Sequence, residues 1–265
     1  MGRSATAGEP VPFDTSVANH ARVYNYLLGG KDNYEADRAA GDAAIQAYPA
    51  TVYAARANRA FLARVVSFLA KDEGIRQFLD IGTGIPTANN THEVAQSVAP
   101  ESRIVYVDND PVVLAHARAL LTSSPEGATA YLDADLRDPE KILEHAAGAL
   151  DFSQPIAIML IALLHVIGDE DNPHESVARL VGAVPSGSYL ALSHVASDIE
   201  PEKVADAMGR LGRLGNRPGR ARSHAEVARF FGEMDLVEPG LVEVPQWRAR
   251  PERSVAMWGG VGRKR

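Results

Sequence analysis

Three aspartates and two glycines carry the most specific chemistry in this 265-residue chain. In Gln77-Phe-Leu-Asp-Ile-Gly-Thr-Gly-Ile-Pro86 a short apolar run passes through Asp80 into a tight turn with Gly82 and Gly84. Glycine lacks a Cβ, so the backbone can take positive φ there and a ligand can lie against the main chain. Val105-Tyr-Val-Asp108 is a second apolar run closed by an acid, 24 residues beyond Gly84, and Asp133-Ala-Asp135-Leu136 closes a third. A carboxylate at Asp108 can accept hydrogen bonds from both hydroxyls of a ribose. Together these residues describe a loop for a nucleotide-type cofactor.

Which cofactor depends on what is missing. A dinucleotide fingerprint needs a third glycine, and the position it would occupy is Thr87, preceded by Pro86. Asp80, two residues ahead of Gly82, is poorly placed beside a pyrophosphate but suits a cationic amino group and a sulfonium. Asp135 can accept from an adenine amino group. The residues thus favour S-adenosylmethionine over NAD, with a nicotinamide-dependent oxidoreductase as the rival reading and a non-catalytic sensor of S-adenosylmethionine or S-adenosylhomocysteine as another.

The elements that must position these groups form two unequal parts. From Ser16 to about Ala70 the apolar spacing is helical: Val17, Ala21, Tyr24 and Leu28 precede a stop at Gly29-Gly30. Asp32 and Glu35 have capping-box spacing, and Val52, Ala55, Arg59, Leu62, Val66 and Leu69 share one stripe of a third helix. From Arg76 onward, β-rich runs (78–81, 104–107, 130–132, 156–161, 189–192) alternate with helical stretches, the pattern of βαβ units. Candidate strands at 236–244 and 254–261 have no helix between them and predict a closing antiparallel hairpin. Arg210 to Arg222, with five arginines among glycines and Pro218, reads as a mobile, solvated loop, with attraction of an anionic substrate as the alternative, and Ser223 with Glu226 as the capping box of a following helix.

Composition narrows the partners. A net charge of −7 argues against nucleic acid and anionic membranes, and the absence of cysteine excludes disulfides and thiolate chemistry. Residues 1–12 lack the apolar segment of a signal peptide, and the run from Ile156 to Ile167 falls short of the ~20 residues of a spanning helix. A small-molecule partner and a cytoplasmic location are expected.

Asp80-Ile-Gly-Thr-Gly84, Val107-Asp108 and Asp133-Ala-Asp135 resemble successive cofactor motifs of class I, Rossmann-like S-adenosylmethionine-dependent methyltransferases. Ala21-Arg-Val-Tyr-Asn-Tyr-Leu-Leu-Gly-Gly-Lys-Asp-Asn33, Ala57-Asn-Arg-Ala-Phe61, residues 78–87 and Tyr106-Val-Asp-Asn-Asp-Pro111 resemble, more narrowly, an actinobacterial S-adenosyl methyltransferase family long known only as a domain of unknown function. The likeness runs over nearly all of the chain after residue 12. It implies an α/β fold: a doubly wound, mostly parallel seven-stranded sheet with a C-terminal antiparallel hairpin and an N-terminal helical extension. It implies a tail at 1–12, a helical lid at 13–74 and a cofactor domain at 75–265. Cofactor contacts are implied at Asp80, Gly82, Thr83, Gly84, Asp108, Asn109, Asp135 and Leu136, and no metal. Pro86 departs from the general class pattern, in which a third glycine is common.

Methyl transfer requires alignment more than any obligatory side chain. Should a general base assist, His165 after the fourth strand and His194 after the fifth are the candidates, each against the commoner role of a histidine satisfied by nearby backbone. The acceptor is expected to be a small polar metabolite. Tyr24, Tyr26, Lys31, Asp32, Asn33, Arg56, Asn58 and Arg59 are the candidate substrate and lid residues. Their arginines suit a carboxylate or phosphate, and the alternative is an ordinary solvated helix face.

Overall fold

A computed structural model describes residues 14–120, 122–215, 219–250 and 253–265; the expected tail lies outside them. Three helices, α1 (His20–Leu27), α2 (Glu35–Ala47) and α3 (Thr51–Lys71), precede the sheet. The sheet's strands are β1 (Gln77–Ile81), β2 (Arg103–Asp108), β3 (Ala128–Asp133), β4 (Ala157–Ile161), β5 (Tyr189–Val195), β6 (Asp235–Leu236), β7 (Val242–Glu243) and β8 (Met257–Arg263). Between them run α4 (Thr91–Val98), α5 (Pro111–Leu120), α6 (Pro139–Ala146), α7 (Pro173–Ala183), α8 (Pro201–Leu214) and α9 (His224–Ala228).

Seven strands follow one path, β3-β2-β1-β4-β5-β8-β6, and β7 also pairs with β8. The first five are mutually parallel, while β8 runs antiparallel to β5, β6 and β7. The expected strand at 236–244 is two short strands, because Glu238-Pro239-Gly240 interrupts the run and Gly240 takes φ +90°. Every residue of β1 and of β4 is buried. Side chains alternate between the two faces: Phe78, Ile104, Tyr106 and Met159 pack with α3, whereas Leu79, Val105, Val107 and Leu160 pack with α6 and α7. Helices on both faces explain why these strands read as unbroken apolar runs. Chain order reverses between β1 and β4, which opens a crevice at the carboxyl ends of β1, β2 and β4, where open α/β sheets bind ligands.

Two local expectations are corrected. The second helix begins not at Asp32 but after Tyr34, whose N–H donates to the Asp37 carboxylate at 2.8 Å. Asp37 is fully buried and also accepts from the Asn19 N–H and from Arg22 Nε, so one carboxylate caps α2 and ties α1 to it. Where it is described, the Arg210–Arg222 segment is not a solvated loop: α8 runs through Arg210 and Arg213, and Arg222 is 1% exposed, while residues 216–218 lie outside the described residues. Arg222 donates to the carbonyls of Leu164 and Ile167, to Asp169 and to His194 Nε2, a set of acceptors that accounts for a buried guanidinium. Ser223 and Glu226 do form the predicted capping box of α9. Among the described residues no helix is long and apolar enough to cross a membrane.

Candidate active site

A cavity of about 380 Å³ opens at the switch point, within the usual size of small-molecule sites (~300–1,000 Å³). Its floor is the carboxyl end of β1 and the turn after it. Gly82 and Gly84 take φ of +73° and +67°, a region costly for other L-residues, and the Gly82 N–H donates to Val107 O at 2.8 Å, which pins the turn across β2. The space beside the two glycines differs. A Cβ on Gly82 would sit 2.6 Å from Leu163, whereas a Cβ on Gly84 meets nothing within 4 Å. Both Gly82→Ala and Gly84→Ala are expected to cost about 1–2 kcal/mol of backbone strain, a fall in Tm of about 2–8 °C. Gly82→Ala should fall further in a thermal melt, because Leu163 must also move.

Each strand end adds a carboxylate in a different state. Asp108 is held by the Gly84 N–H on Oδ2 and the Asp110 N–H on Oδ1, both at 2.9 Å. Burial raises its carboxyl above the ordinary 3.8, against these hydrogen bonds. These bonds do not use all the acceptor positions of the carboxylate, which leaves capacity for a ribose hydroxyl. Asp80 is 4% exposed and accepts from Thr91 Oγ1 at 2.6 Å. Burial pushes its carboxyl up to about 6, with the Thr91 hydrogen bond and the charge of Arg59 opposing. Asp135 is the reverse case. Partial burial would raise it, but hydrogen bonds from the Arg137 side chain and backbone and from Asn109 outweigh that and hold it at about 2.

The bonds at Asp135 alter its expected role. Oδ1 accepts from Arg137 N and Nε, and Oδ2 from Arg137 Nη2 and Asn109 Nδ2. A carboxylate has about four acceptor positions, so none is left for an adenine amino group. Asp135 instead fixes Arg137, whose Nη1 lies 3.6 Å from Asp171 Oδ2 across the cavity mouth. Arg137 and Asp171 were not anticipated from the sequence; their signal is the short Asp135-Leu-Arg137 spacing, which places a cation beside the third acid.

The other wall comes from the helices before the sheet. Asn19, His20, Tyr24 and Leu27 on α1 or its cap, and Asn58, Arg59 and Leu62 on α3, line the same cavity, with Leu211 of α8. A buried relay docks this wall on the sheet. The N–H of Ala162, held at φ +57° just beyond β4, donates to Ser193 Oγ at 2.9 Å. Ser193 Oγ donates to Asn58 Oδ1 at 2.6 Å, Asn58 Nδ2 to the Tyr24 hydroxyl at 2.9 Å, and that hydroxyl to Ala55 O at 3.1 Å.

Of the expected substrate and lid residues, then, Tyr24, Asn58 and Arg59 line the cavity and five do not. Tyr26 donates to Asp42 at 2.7 Å, which secures α1 on α2. Asn33 donates to Asn25 and to Gly30 O, closing the glycine turn; Asp32 has its N–H on Asn25 and its carboxylate 4.0 Å from His116. Lys31 and Arg56 are exposed. Arg56 and Arg59 do not act together: although positions three apart are neighbours on a helix surface, Arg56 is exposed and only Arg59 lines the cavity.

The two histidines separate as well. His194 lies inside β5, not beyond it, and is fully buried. Its Nδ1 lies 2.8 Å from Val195 O and its Nε2 accepts from Arg222 Nη1 at 2.9 Å, so the ring is a neutral Nδ1–H tautomer; burial lowers it to about 4. It is a structural partner of Arg222 and does not reach the cavity. His165, in the 3₁₀ turn after β4, does line it. Burial, with the neighbouring His194, His20 and Arg222, drives its ring well below the ordinary 6.5.

Comparison with known proteins bears on this geometry. The family model of the S-adenosyl methyltransferases matches residues 6–265. The crystal structure of a DUF574 family protein from Streptomyces avermitilis is 48% identical, with a TM-score of 0.92 over 95% of this chain and 99% of that one. A candidate methyltransferase from Thermobifida fusca is 42% identical, with a TM-score of 0.85 over 95% and 96%. Human N-acetylserotonin methyltransferase, crystallised with S-adenosylmethionine, is 13% identical with a TM-score of 0.50 over 92% of this chain and 66% of that one, a likeness of fold. A search of curated proteins gives no match. A Rossmann-like sheet, a glycine turn backed by Asp80 and Asp108, and a match spanning residues 6–265 agree: the chain belongs to the S-adenosyl methyltransferase family, whose cofactor is S-adenosylmethionine.

Proposed function

We propose that this protein moves the methyl group of S-adenosylmethionine onto a hydroxyl or amine of a small neutral acceptor held beneath α1. The observation that carries this reading is the continuity of the cavity, which runs from Gly84 and Asp108 to His20, Tyr24 and His165. Asp108 holds the ribose, with Asn109 and Arg137 fixed beside it by Asp135; Leu136 supplies an apolar wall; Asp80 and the Gly82-Thr83-Gly84 turn hold the methionine end. Bound there, S-adenosylmethionine supplies an electrophilic methyl on a sulfonium. The protein must align an acceptor with it and keep water out. The 13–74 helices serve as the cover: α1 and α3 roof the cavity, and the Ser193-Asn58-Tyr24 relay holds them down.

The acceptor end is apolar with a few uncharged polar groups: Leu27, Leu62, Leu163, Val166 and Leu211 surround His20, Tyr24, Asn58 and His165. Such walls suit a neutral molecule bearing one nucleophilic group more than a strongly polar metabolite. His165 receives the proton that the acceptor releases. Its Nδ1 is buried without a hydrogen-bond partner, and burial keeps the ring neutral at physiological pH and so able to accept a proton. The net charge of −7 gives no support to a nucleic-acid or membrane partner.

The test is turnover. Purified protein incubated with S-adenosylmethionine and pools of small hydroxyl and amine compounds should form S-adenosylhomocysteine, read by mass spectrometry. Binding of S-adenosylhomocysteine with no turnover in any pool favours the sensor. With an acceptor in hand, His165→Asn should lower kcat about 10²-fold, the lower end of general-base effects, with cofactor affinity within about twofold. An unchanged kcat removes His165 from the chemistry.

A further inference from the structure

His165 lacks the support by which a basic imidazole is usually aimed. In most such arrangements a third group holds the far nitrogen of the ring, yet His165 Nδ1 is buried without a hydrogen-bond partner. The 3₁₀ helix that carries it is a single turn, Leu164–Val166. Its last bond, from the Ile167 N–H to Leu164 O, is long at 3.4 Å. The turn is held instead from outside, by the segment that leads into α9. The Arg220 N–H donates to His165 O at 2.7 Å, and a Cβ on Gly219 would stand 2.8 Å from the same oxygen, so the two backbones lie in close contact. Arg222 grips the turn on either side of His165: Nη1 donates to Leu164 O at 2.8 Å and Nη2 to Ile167 O at 3.1 Å. The same Nη1 also donates to His194 Nε2 at 2.9 Å, and the same Nη2 to Asp169 Oδ1 at 2.6 Å. His194 in turn stands edge-on to His165, with ring centroids 5.8 Å apart and planes at 75°.

We propose that Arg222 is the positioning residue for His165, its guanidinium fixing both the turn that carries the ring and the His194 ring against which it packs. This rests on His165 as the group that takes the acceptor's proton. Arg222 stands behind the turn and outside the walls of the cavity, so its effect on methyl transfer passes through His165. A guanidinium that only filled a buried gap could find its acceptors anywhere, whereas here two of the four are carbonyls flanking His165 and a third belongs to the ring beside it. Acceptors in several directions suit a planar fork. A lysine ammonium projects its three N–H groups from one point and cannot hold both carbonyls, His194 and Asp169 together. Burial is the main cause that keeps the two rings neutral, and the Arg222 charge adds to it. The ring that the fork holds in place is therefore one that can take a proton.

The experiment reads the His165 ring, and the kinetics that depend on it, in Arg222→Lys. The chain has eight histidines, so His165→Asn assigns the ring in long-range proton–nitrogen spectra of the imidazoles by the signals it removes. In the wild-type protein His165 should give one narrow set of signals, and in Arg222→Lys that set should broaden or double. With an acceptor in hand, Arg222→Lys should lower kcat about 10-fold, within the ~10²-fold that a misplacement of about 1 Å can cost, and leave KM for S-adenosylmethionine within about twofold. In a His165→Asn background the same substitution should cost less than about twofold, because a residue that acts only through His165 has nothing left to position. Unchanged His165 signals in folded Arg222→Lys overturn the proposal, and so does an equal loss of kcat in both backgrounds. Should Arg222→Lys not fold, Asp169→Ala takes its place: that side chain is 52% exposed, and its removal frees one arm of the fork. It should broaden the same signals, and undisturbed signals overturn the proposal. The spectra need no acceptor, so they decide the matter even where the pools give no turnover. An unchanged kcat in His165→Asn overturns the proton-acceptor reading and this proposal together, whereas a slowed His165→Asn with undisturbed His165 signals in Arg222→Lys overturns this proposal alone.

Discussion

Asp108→Ala should weaken S-adenosylhomocysteine binding about 10³-fold by calorimetry. Two hydrogen bonds from ribose hydroxyls to a carboxylate, each worth about 1.5–3 kcal/mol, give about 3–6 kcal/mol, and every 1.4 kcal/mol is tenfold. The alanine also releases the Gly84 N–H, which the carboxylate holds at 2.9 Å, so the turn loses one of its ties to β2 and keeps the Gly82 N–H bond to Val107 O. Asp108→Asn separates the two effects. Its carbonyl can keep one N–H while its amide cannot accept from a hydroxyl, so it should fall between wild type and alanine. Folding should not suffer comparably, because the carboxylate that is removed is one that burial already disfavours. An alanine variant that bound S-adenosylhomocysteine as the wild type does would show that the ribose lies elsewhere, and the cofactor site would have to be redrawn.

The sheet was legible because buried parallel strands leave a loud signal. Leu79, Val105 and Leu160 face one layer of helices while Phe78, Ile104 and Met159 face the other, so both faces call for apolar residues, and the acids Asp80 and Asp108 stand out at or near the strand ends that line the cavity. The glycine turn was legible for the same local reason: φ near +70° at positions 82 and 84 admits glycine at least cost. Tertiary partners were not. The arginines from 210 to 222 look solvated until α8 forms and Arg222 finds three carbonyl or carboxylate acceptors around residues 164–169, more than 50 positions away in the chain. His194 lies within β5 rather than beyond it, and Arg222 rather than a ligand takes its free nitrogen. In the N-terminal helices the polar, aromatic stretch around Gly29-Gly30 has mostly structural work, since Tyr26 and Asn33 brace α1 against α2 and close the turn. Charge and aromaticity mark such residues as special, but only the packing of helix on helix says which of them face the cavity.

Asp80 carries the sharpest pH dependence. Its carboxyl is raised in the folded protein from 3.8 to about 6 by burial. A raised acid favours the protonated folded state, so its stabilising contribution is complete below about pH 4 and is lost as pH rises through 6. The interval, at about 1.4 kcal/mol per unit, corresponds to about 3 kcal/mol by pH 7.5. In Asp80→Asn the amide oxygen can still accept from Thr91 Oγ1, and its N–H2 faces the cavity that the residue lines. The unliganded variant should therefore be more stable than the wild type at pH 7.5 by about 2 kcal/mol, an advantage that vanishes below pH 4 in denaturant titrations. Its binding should move the other way, falling about 10²-fold for S-adenosylhomocysteine as the counter-charge for the ammonium is lost. The cofactor, by pairing with the ionised carboxylate, should draw its pKa down, so that binding near pH 6, where about half of the carboxyls are protonated, releases about half a proton in the wild type and none from this position in the variant. Calorimetry in buffers of different ionisation enthalpy reads that proton directly. Equal proton release from both proteins would mean that Asp80 is ionised before the ligand arrives, and the stability gain at pH 7.5 would have to be absent as well.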